Sequence, residues 1–267
     1  MTVHLVVDDG VAVITLDRPD ALNAVNIESL KALRAHLSQV RDDNNVRAIV
    51  LTASGTRAFC AGADLKGTRE SQESYAQSTF RTLEVASERG LYIRLIDLTD
   101  LAIWKPIIAA VNGHCLGAGL ELALQCDIRI ASLTASFGLP EATVGSIPAV
   151  SGLHRLLKAV PSAHAMQMAL TGTRIDAQRA LAIGLVSEAV PSDELHGRAV
   201  AIAQAIANNA PLAVQAIKKL SRQTAHLSEA DAQHLTELYW GVLRDTHDRV
   251  EGRSAFAEKR RPKFIGA

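Results

Sequence analysis

Two glutamates, Glu121 and Glu141, stand in apolar surroundings where a carboxylate is unexpected. Glu121 lies between Leu120 and Leu122, and Glu141 follows the segment Phe137–Pro140 twenty residues later. Acidic side chains are rarely buried unless they are paired or functional. Two carboxyl groups near one water molecule can share the duties of general base and general acid. Two plainer interpretations stay open, because Glu121 can point outward from an amphipathic helix and Glu141 can simply start a helix.

The segment before Glu121 predicts a strand, a tight glycine turn and a helix. Ile107–Val111 is an apolar run of the length of one buried strand, and Asn112–Gly113 is a turn signal. Gly117–Gly119 comes next, and apolar residues then repeat through Cys126. A helix N-terminus exposes unpaired N–H groups with partial positive charge, which suits an oxygen that becomes negative during a reaction. We therefore expect one acyl group to lie between this helix end and the two glutamates.

Other catalytic motifs are missing from the sequence. The glycines around the turn do not fit G-x-G-x-x-G, and neither GxxxxGK[ST] nor G-x-S-x-G occurs. His114, His154 and His164 are isolated from one another and lack metal-site spacing. Of these, only His114 stays open as a site residue, because it lies in the turn before the helix. We expect neither a metal nor a redox cofactor.

The composition excludes several classes of protein. The chain has 267 residues, 48% hydrophobic and 21% charged, which fits one large or two small globular domains. Lys and Arg number 28, as do Asp and Glu, and this balance argues against nucleic acid as the main partner. The three cysteines form no CxxC motif, which favours a reducing compartment. We see no signal peptide and no apolar run of about 18 residues, so we expect a cytoplasmic protein without a membrane partner.

The N-terminal third predicts alternating strands and helices. Val3–Val7 and Val11–Leu16 predict a β-hairpin, and Asn26 is a plausible N-cap for an amphipathic helix over Ile27–Arg41. Arg47–Thr52 predicts a third strand. The loop predicted over Ala53–Gly67 is both small-residued and apolar, so it is a candidate for close backbone approach to a ligand.

The rest of the chain is predicted to be mainly helical. Residues 70–104 are expected to form two helices broken at Gly90, whose aromatic side chains either line a pocket or pack in the core. A last short strand is expected at Val186–Val190. The remaining helical segments are predicted at 153–160, 163–170, 176–183, 193–208, 212–225, 228–246 and 254–261. This pattern indicates an α/β core followed by an α-helical C-terminal third.

Three motifs resemble the crotonase, or enoyl-CoA hydratase/isomerase, superfamily. They are AFCAGADLK at Ala58–Lys66, NGHCLGAGLELALQCD at Asn112–Asp127 and ASFGLPEATVGSIP at Ala135–Pro148. The resemblance covers essentially the whole chain. It implies a spiral of ββα units over residues 1–191, which holds an acyl-CoA site. It also implies a helical oligomerisation region over residues 192–267 that builds homotrimers, often paired into hexamers.

The resemblance also implies roles for individual residues. The backbone N–H groups of Ala63 and Ala118 would hold the thioester oxygen, and Glu121 and Glu141 would be the catalytic pair of the family's hydratases. Coenzyme A would enter as part of the substrate, not as a cofactor. The positions that would contact it, in two cases from a neighbouring subunit, are Ala21, Leu22, Ala61, Gly62, Asp64, Leu65, Lys66, Gly117, Phe256 and Lys259.

The resemblance favours addition of water to a 2-enoyl-CoA, in fatty-acid or related acyl-CoA catabolism. Isomerases of the superfamily often keep only one of the two glutamates, so the presence of both favours hydration. The alternatives are double-bond isomerisation, dehydration of a specialised hydroxyacyl-CoA, and an inactive CoA- or RNA-binding homologue. The sequence departs from the family pattern at Gly145–Gly152, which has fewer glycines, and at His114, and these departures concern acyl specificity.

Overall fold

The computed structural model describes residues 2–64 and 74–267, arranged as two sheets surrounded by helices. The strands are β1 (Val3–Asp8), β2 (Val11–Leu16), β3 (Ala48–Ala53), β4 (Ala58–Cys60), β5 (Ile107–Val111), β6 (His114–Leu116), β7 (Ile128–Ser132), β8 (Ser136–Gly138), β9 (Ile175–Asp176) and β10 (Glu188–Val190). The helices are α1 (Ile27–Asp42), α2 (Tyr75–Thr79), α3 (Leu83–Ala86), α4 (Ala118–Ala123), α5 (Gly152–Ala159), α6 (Ser162–Thr171), α7 (Ala177–Ala182), α8 (Leu195–Ala207), α9 (Pro211–Thr224), α10 (Glu229–Arg244) and α11 (His247–Ala257).

The larger sheet has six strands in the order β1-β2-β3-β5-β7-β10. β1 and β2 form the predicted antiparallel hairpin, with Val3 opposite Leu16 and Asp8 opposite Val11. The other neighbours in this sheet are parallel. The predicted strand at Ile107–Val111 is confirmed as β5, and its five residues are all buried.

The smaller sheet has four strands in the order β4-β6-β8-β9, and the first three run parallel. Its strands were the least predictable part of the fold. β4 lies inside the segment predicted as a loop, where the buried residues Ala58–Cys60 pair with β6. β6 lies between the turn signal at Asn112–Gly113 and the helix that begins at Ala118, where the sequence predicted no strand. Strands of three residues are too short to show a period of two, so the sequence pattern does not reveal them.

α1 packs on one face of the larger sheet and α8 on the other. Asn26 is the N-cap of α1, as predicted, and forms a capping box with Ser29. The apolar stripe of α1 faces the main core. On the opposite face, Ala199 and Ala203 of α8 join a second buried cluster that includes Val50 of β3.

The segment predicted as two helices between 70 and 104 is more irregular than expected. From Ser74 onward it consists of α2, α3 and short helical turns at Ser87–Leu91, Tyr92–Ile96 and Thr99–Leu101. Gly90 interrupts the helical path, as predicted, because its φ of 110° is left-handed. Tyr92 is buried in the core, whereas Phe80 is 91% exposed. Residues 70–73 lie outside the described part of the chain.

The C-terminal third is helical, as predicted, and comprises α8 to α11. α11 begins at His247, earlier than the predicted segment at 254–261, because Thr246 caps it by accepting a hydrogen bond from the backbone of Arg249. Within residues 2–64 and 74–267, no single helix is long and apolar enough to cross a membrane. Only α8 and α9 taken together reach that length and composition, and they are bent by 105°. The boundary between residues 191 and 192 stays a prediction.

Candidate active site

The carboxyl ends of three parallel strands bring the predicted site residues to one edge of the smaller sheet. β4 leads into Ala61–Ala63, β6 leads into Gly117 and Ala118, and β8 leads through Pro140 to Glu141. Ligands of open parallel sheets commonly bind at such an edge. A Cβ atom added at Gly117 would lie 3.0 Å from Oε1 of Glu141 and 3.9 Å from Cα of Gly62. The three segments are therefore in contact with one another.

The N–H of Ala63 points away from its neighbouring segment. Val25 donates a hydrogen bond to the carbonyl of Gly62 and accepts one from the N–H of Asp64, both at 2.9 Å. In a trans peptide the N–H lies opposite the preceding carbonyl, so the N–H of Ala63 is directed to the other side. Among the hydrogen bonds of the described residues, none uses this N–H. It is available to a ligand.

Ala118 is the first residue of α4, and helix geometry leaves its N–H without an intrahelical acceptor. Gly117 precedes it with a φ of 52°, and its own N–H donates to the carbonyl of Gly138 at 2.9 Å. A Cβ at Gly119 would lie 2.8 Å from Cβ of Cys60. α4 therefore packs directly on the end of β4, which brings its N-terminus next to the segment that carries Ala63.

Glu121 is buried, with 2% of its surface exposed, so the interpretation that it points outward is wrong. Its Oε1 accepts hydrogen bonds from the backbone N–H groups of Val150, at 2.7 Å, and Gly152, at 3.0 Å. Burial raises the pKa of Glu121 above its ordinary value, while these two bonds to the charged form act in the opposite direction. Since Oε1 is occupied twice, Oε2 is the oxygen left for a reacting group.

Glu141 begins a short helical turn over Glu141–Val144, as its plainer interpretation suggested, and its carboxyl group is partly buried. Its Oε2 is enclosed and has no hydrogen-bond partner in the described part of the protein. Burial raises the pKa of Glu141, a hydrogen bond from its own backbone N–H acts in the opposite direction, and the nearby charge of Glu121 raises the pKa further. The net shift is upward and favours the protonated form.

The other residues predicted to contact coenzyme A near this edge differ in their backbone conformation and in their hydrogen-bond partners. Leu22 has a left-handed backbone, and its carbonyl accepts a hydrogen bond from Ala61 at 3.1 Å. Ala21 precedes it at the end of the turn Pro19–Ala21. Asp64 does not present a free carboxylate, because Nη2 of Arg18 donates to its Oδ2 at 2.8 Å. Leu65 and Lys66 lie outside the described residues.

His114, which the sequence left open, is explained by the sheet. Its Nδ1 lies 2.8 Å from the hydroxyl oxygen of Ser136, which is its register partner on β8. This contact links the two strands through their side chains.

The thiols of the chain are buried and unpaired, and burial raises the pKa of Cys60 to about 11 and that of Cys126 to about 12. Thiols with such pKa values stay protonated at neutral pH and are poor nucleophiles.

A family model described as Enoyl-CoA hydratase/isomerase matches residues 7–267. The chain belongs to the enoyl-CoA hydratase/isomerase family. Among similar members, the (E)-benzylidenesuccinyl-CoA hydratase of Thauera aromatica is 43% identical over the full length of both chains. The carnitinyl-CoA dehydratase of Proteus mirabilis (strain HI4320) is 39% identical over 99% of this chain and 98% of its own. A crystal structure of an enoyl-CoA hydratase from Bacillus anthracis matches with a TM-score of 0.90 and 34% identity, and the match covers 100% of both chains.

Membership of the enoyl-CoA hydratase/isomerase family confirms the predicted fold class, an α/β core with a helical C-terminal region.

Two of the predicted site residues, Phe256 and Lys259, lie near the C-terminal end of the chain. Phe256 is 87% exposed on α11, and Lys259 follows with a left-handed backbone. Phe256 lines a groove of about 560 Å³ between α9, α10 and α11, whose lining includes neither Glu121 nor Glu141. Within one chain, these two residues are not part of the candidate site.

Sequence reasoning missed the groups that hold the predicted residues in place. Val150 and Gly152 bind Glu121 through backbone N–H groups, which have no side-chain signature. The one feature of the sequence that could have marked this contact is the glycine at 152, because the structure shows that a Cβ there would lie 2.7 Å from Cγ of Glu121. Arg18 was also missed, because it is 46 residues from its partner Asp64 in the sequence.

Proposed function

We propose that the protein adds water across the double bond of a 2-enoyl-CoA thioester. The observation that carries the proposal is the contrast between the two glutamates at one sheet edge. Glu121 accepts two backbone hydrogen bonds, whereas the enclosed oxygen of Glu141 accepts none from the described residues. Burial raises the pKa of both carboxyl groups, but the two hydrogen bonds favour the ionised form of Glu121, and its charge favours the protonated form of Glu141. The pair is therefore suited to hold one proton, on Glu141. Hydration needs one group of each kind.

In the proposed reaction, Oε2 of Glu121 takes a proton from a water molecule while the water oxygen bonds to C3 of the enoyl group. The electrons of the double bond move toward the thioester carbonyl, whose oxygen becomes negative. The N–H groups of Ala63 and Ala118 stabilise that oxygen. Glu141 then gives its proton to C2. The proton that Glu121 took from water passes to Glu141, which returns the pair to its starting state for the next cycle. Removing one such N–H donor typically costs about 3 kcal/mol of barrier.

Each step of this scheme uses a carboxyl group or a backbone N–H group of the chain. We therefore propose that the reaction needs no metal or redox cofactor, and that coenzyme A is bound only as part of the substrate. The test is turnover after prolonged chelation. Loss of activity that a divalent ion restores would contradict this part of the proposal.

Dehydration of a hydroxyacyl-CoA is the second candidate function. It uses the same groups in reverse, and a relative named as a carnitinyl-CoA dehydratase aligns with 99% of this chain. Isomerisation is less well supported, because it needs only one carboxyl group and this site has two. An inactive CoA- or RNA-binding role would leave the buried carboxylates without a use.

A panel of thioesters tests these alternatives. It should contain short and long 2-enoyl-CoA esters together with an aryl-substituted and a carboxylated member, since similar proteins are named for benzylidenesuccinyl-CoA and 2,3-dehydroadipyl-CoA. Hydration is followed by loss of the absorbance of the conjugated thioester. Conversion of a 3-enoyl-CoA to its conjugated isomer without hydration would support isomerisation instead. No turnover of any member in either direction would contradict an enzymatic role.

We further propose that the chain assembles into a homotrimer or hexamer through its C-terminal helices. Large apolar side chains on these helices are exposed in the single chain, among them Trp240 and Val242 of α10 and Phe256 of α11. Exposed apolar patches of this kind mark interaction surfaces. Sedimentation velocity at micromolar concentration should therefore give a species of three or six chains. A species of 28.5 kDa alone would contradict the proposal.

A further inference from the structure

The carboxylate of Asp64 lies one residue beyond the proposed oxyanion donor Ala63, and it is held by Arg18. Nη2 of Arg18 donates to Oδ2 of Asp64 at 2.8 Å, and Nη1 donates to the carbonyl of Ala24. The side chains of Arg18 and Asp64 are only 22% and 17% exposed. A pair that is shielded in this way is better fixed than an ion pair on the surface.

Asp64 is also held through its backbone. The hydroxyl of Tyr92 donates to its carbonyl at 3.3 Å, and its N–H donates to the carbonyl of Val25 at 2.9 Å. The residue after Ala63 is thus fixed at its N–H and its carboxylate by the segment between β2 and α1, and at its carbonyl by Tyr92. We call the three residues Arg18, Asp64 and Tyr92 the Asp64 clamp.

We infer that Arg18 is a positioning residue of the oxyanion hole and acts through Asp64 on the N–H of Ala63. The inference rests on the proposed function, in which Ala63 is one of the two donors. A donor stabilises an oxyanion only when its direction is fixed before the reaction, and the Asp64 clamp fixes this one. Arg18 has a second effect, because its positive charge balances a carboxylate that would otherwise repel the developing negative oxygen.

This inference assigns to Asp64 a role different from the one that the family resemblance implied. A carboxylate is a poor partner for the phosphates of coenzyme A, and the carboxylate of Asp64 is already occupied by Arg18. Its task is therefore to orient the preceding peptide. The prediction that Asp64 contacts coenzyme A stays a prediction beside this positioning role.

The test is Arg18→Gln, measured both by kinetics and by the absorption spectrum of a bound thioester. The probe is a cinnamoyl-CoA with a dimethylamino group on its ring, whose absorption moves to longer wavelength when hydrogen bonds polarise the carbonyl. We expect kcat to fall about 10- to 100-fold with KM changed much less, since the lost interaction acts in the transition state. The absorption shift of the bound probe should shrink in parallel.

Two further variants make the test specific. Tyr92→Phe removes the hydroxyl that donates to the carbonyl of Asp64 and leaves the ion pair of Arg18 with Asp64 in place. It should show a smaller loss of the same kind, and it keeps the test valid if Arg18→Gln does not fold. Arg198→Gln is the control, because Arg198 forms an ion pair with Glu188 that involves none of the clamp residues. Its kcat and absorption shift should match those of the wild type.

The outcomes separate the inference from the proposed function. Folded Arg18→Gln and Tyr92→Phe with wild-type kcat and absorption shift would overturn the inference while hydration stands. A change in KM alone would also overturn it, because Arg18 would then serve binding. If the wild type neither polarises the probe nor hydrates any enoyl-CoA, the proposed function fails and the Asp64 clamp loses its role with it.

Discussion

Gly117 lies so close to Glu141 that a Cβ atom added to it would stand 3.0 Å from the Oε1 oxygen. The backbone of Gly117 is also left-handed, with a φ of 52°, a conformation that favours glycine. The turn that orients Ala118 and the carboxyl group of Glu141 are thus in direct contact. A side chain at position 117 would disturb both.

We expect Gly117→Ala to lower kcat by about 10- to 100-fold, because even small misplacement of catalytic groups is costly. The control is Gly184→Ala. Gly184 has a φ of 80°, but a Cβ there would meet nothing within 4 Å. Both variants should lose stability from backbone strain, about 1 to 3 kcal/mol. Only Gly117→Ala should lose activity, and equal turnover of the two variants would contradict the proposed contact.

Replacement of either glutamate by glutamine should lower turnover by about 10²- to 10⁴-fold, the usual contribution of a positioned acid or base. The amide keeps the size of the side chain, so circular dichroism should be unchanged. Glu229→Gln, in the first turn of α10, is a control of the same chemistry at an exposed position. Near wild-type hydration by both Glu121→Gln and Glu141→Gln would rule out the two-glutamate mechanism.

The raised pKa of Glu141 also predicts how its removal affects stability. A carboxyl group whose pKa is higher in the folded than in the unfolded protein stabilises the fold at low pH, and this contribution is lost as the pH rises through the raised value. At pH 8 the ionised group is therefore destabilising, and Glu141→Gln should have a higher Tm than the wild type. The difference should diminish as the pH approaches the ordinary pKa of 4.5. A Tm difference that does not change with pH would show that this carboxyl group is not perturbed.

Proline at position 118 would remove the N–H of a proposed oxyanion donor. Proline is well tolerated at the first position of a helix, which is the position of Ala118 in α4. Ala118→Pro should therefore fold and lose about 3 kcal/mol of transition-state stabilisation, about a hundredfold in kcat. Ala118→Gly is the matched control, since it keeps the N–H and should keep most activity. Wild-type kcat in folded Ala118→Pro would show that this N–H does not hold the oxyanion.

Gly172 supports the turn that carries Glu141. A Cβ added to Gly172 would lie 2.5 Å from Cγ2 of Thr143, so Gly172→Ala should push this turn and reduce kcat. Thr143→Ser removes that methyl group but keeps the hydroxyl, which donates to the carbonyl of Pro140 at 2.7 Å. The double variant should recover most of the lost activity, and no recovery would mean that the loss comes from backbone strain at Gly172.

The parts of the fold that the sequence predicted are those with a local signal. The hairpin β1–β2 has a turn with Asp9 and Gly10, and α1 has a capping residue and an apolar stripe. β4, β6 and β8 have three residues each, and only their pairing with one another defines them. Pairing between distant segments is a property of the packed chain, so no local window of the sequence contains it.

The residues of the site also fall into those with a local sequence signal and those that only the packing of the chain defines. Glu121 and Glu141 were predictable because a charged residue in an apolar segment stands out. The N–H groups of Val150 and Gly152 were not, because every residue except proline has one. What selects these two donors is the position of α5 relative to α4, which depends on the packing of both helices.

The parallel pairing of β4 with β6 also sets the separation between the two proposed oxyanion donors. Neighbouring strands lie about 4.8 Å apart, which is compatible with two N–H groups that each reach one oxygen from about 3 Å. The pairing of the two strands thus sets the distance between the two N–H donors, and the backbone hydrogen bonds of the sheet do not depend on side chains. Segments other than the two that carry Ala63 and Ala118 can therefore be redesigned for new acyl groups without changing the strand pairing that sets this distance.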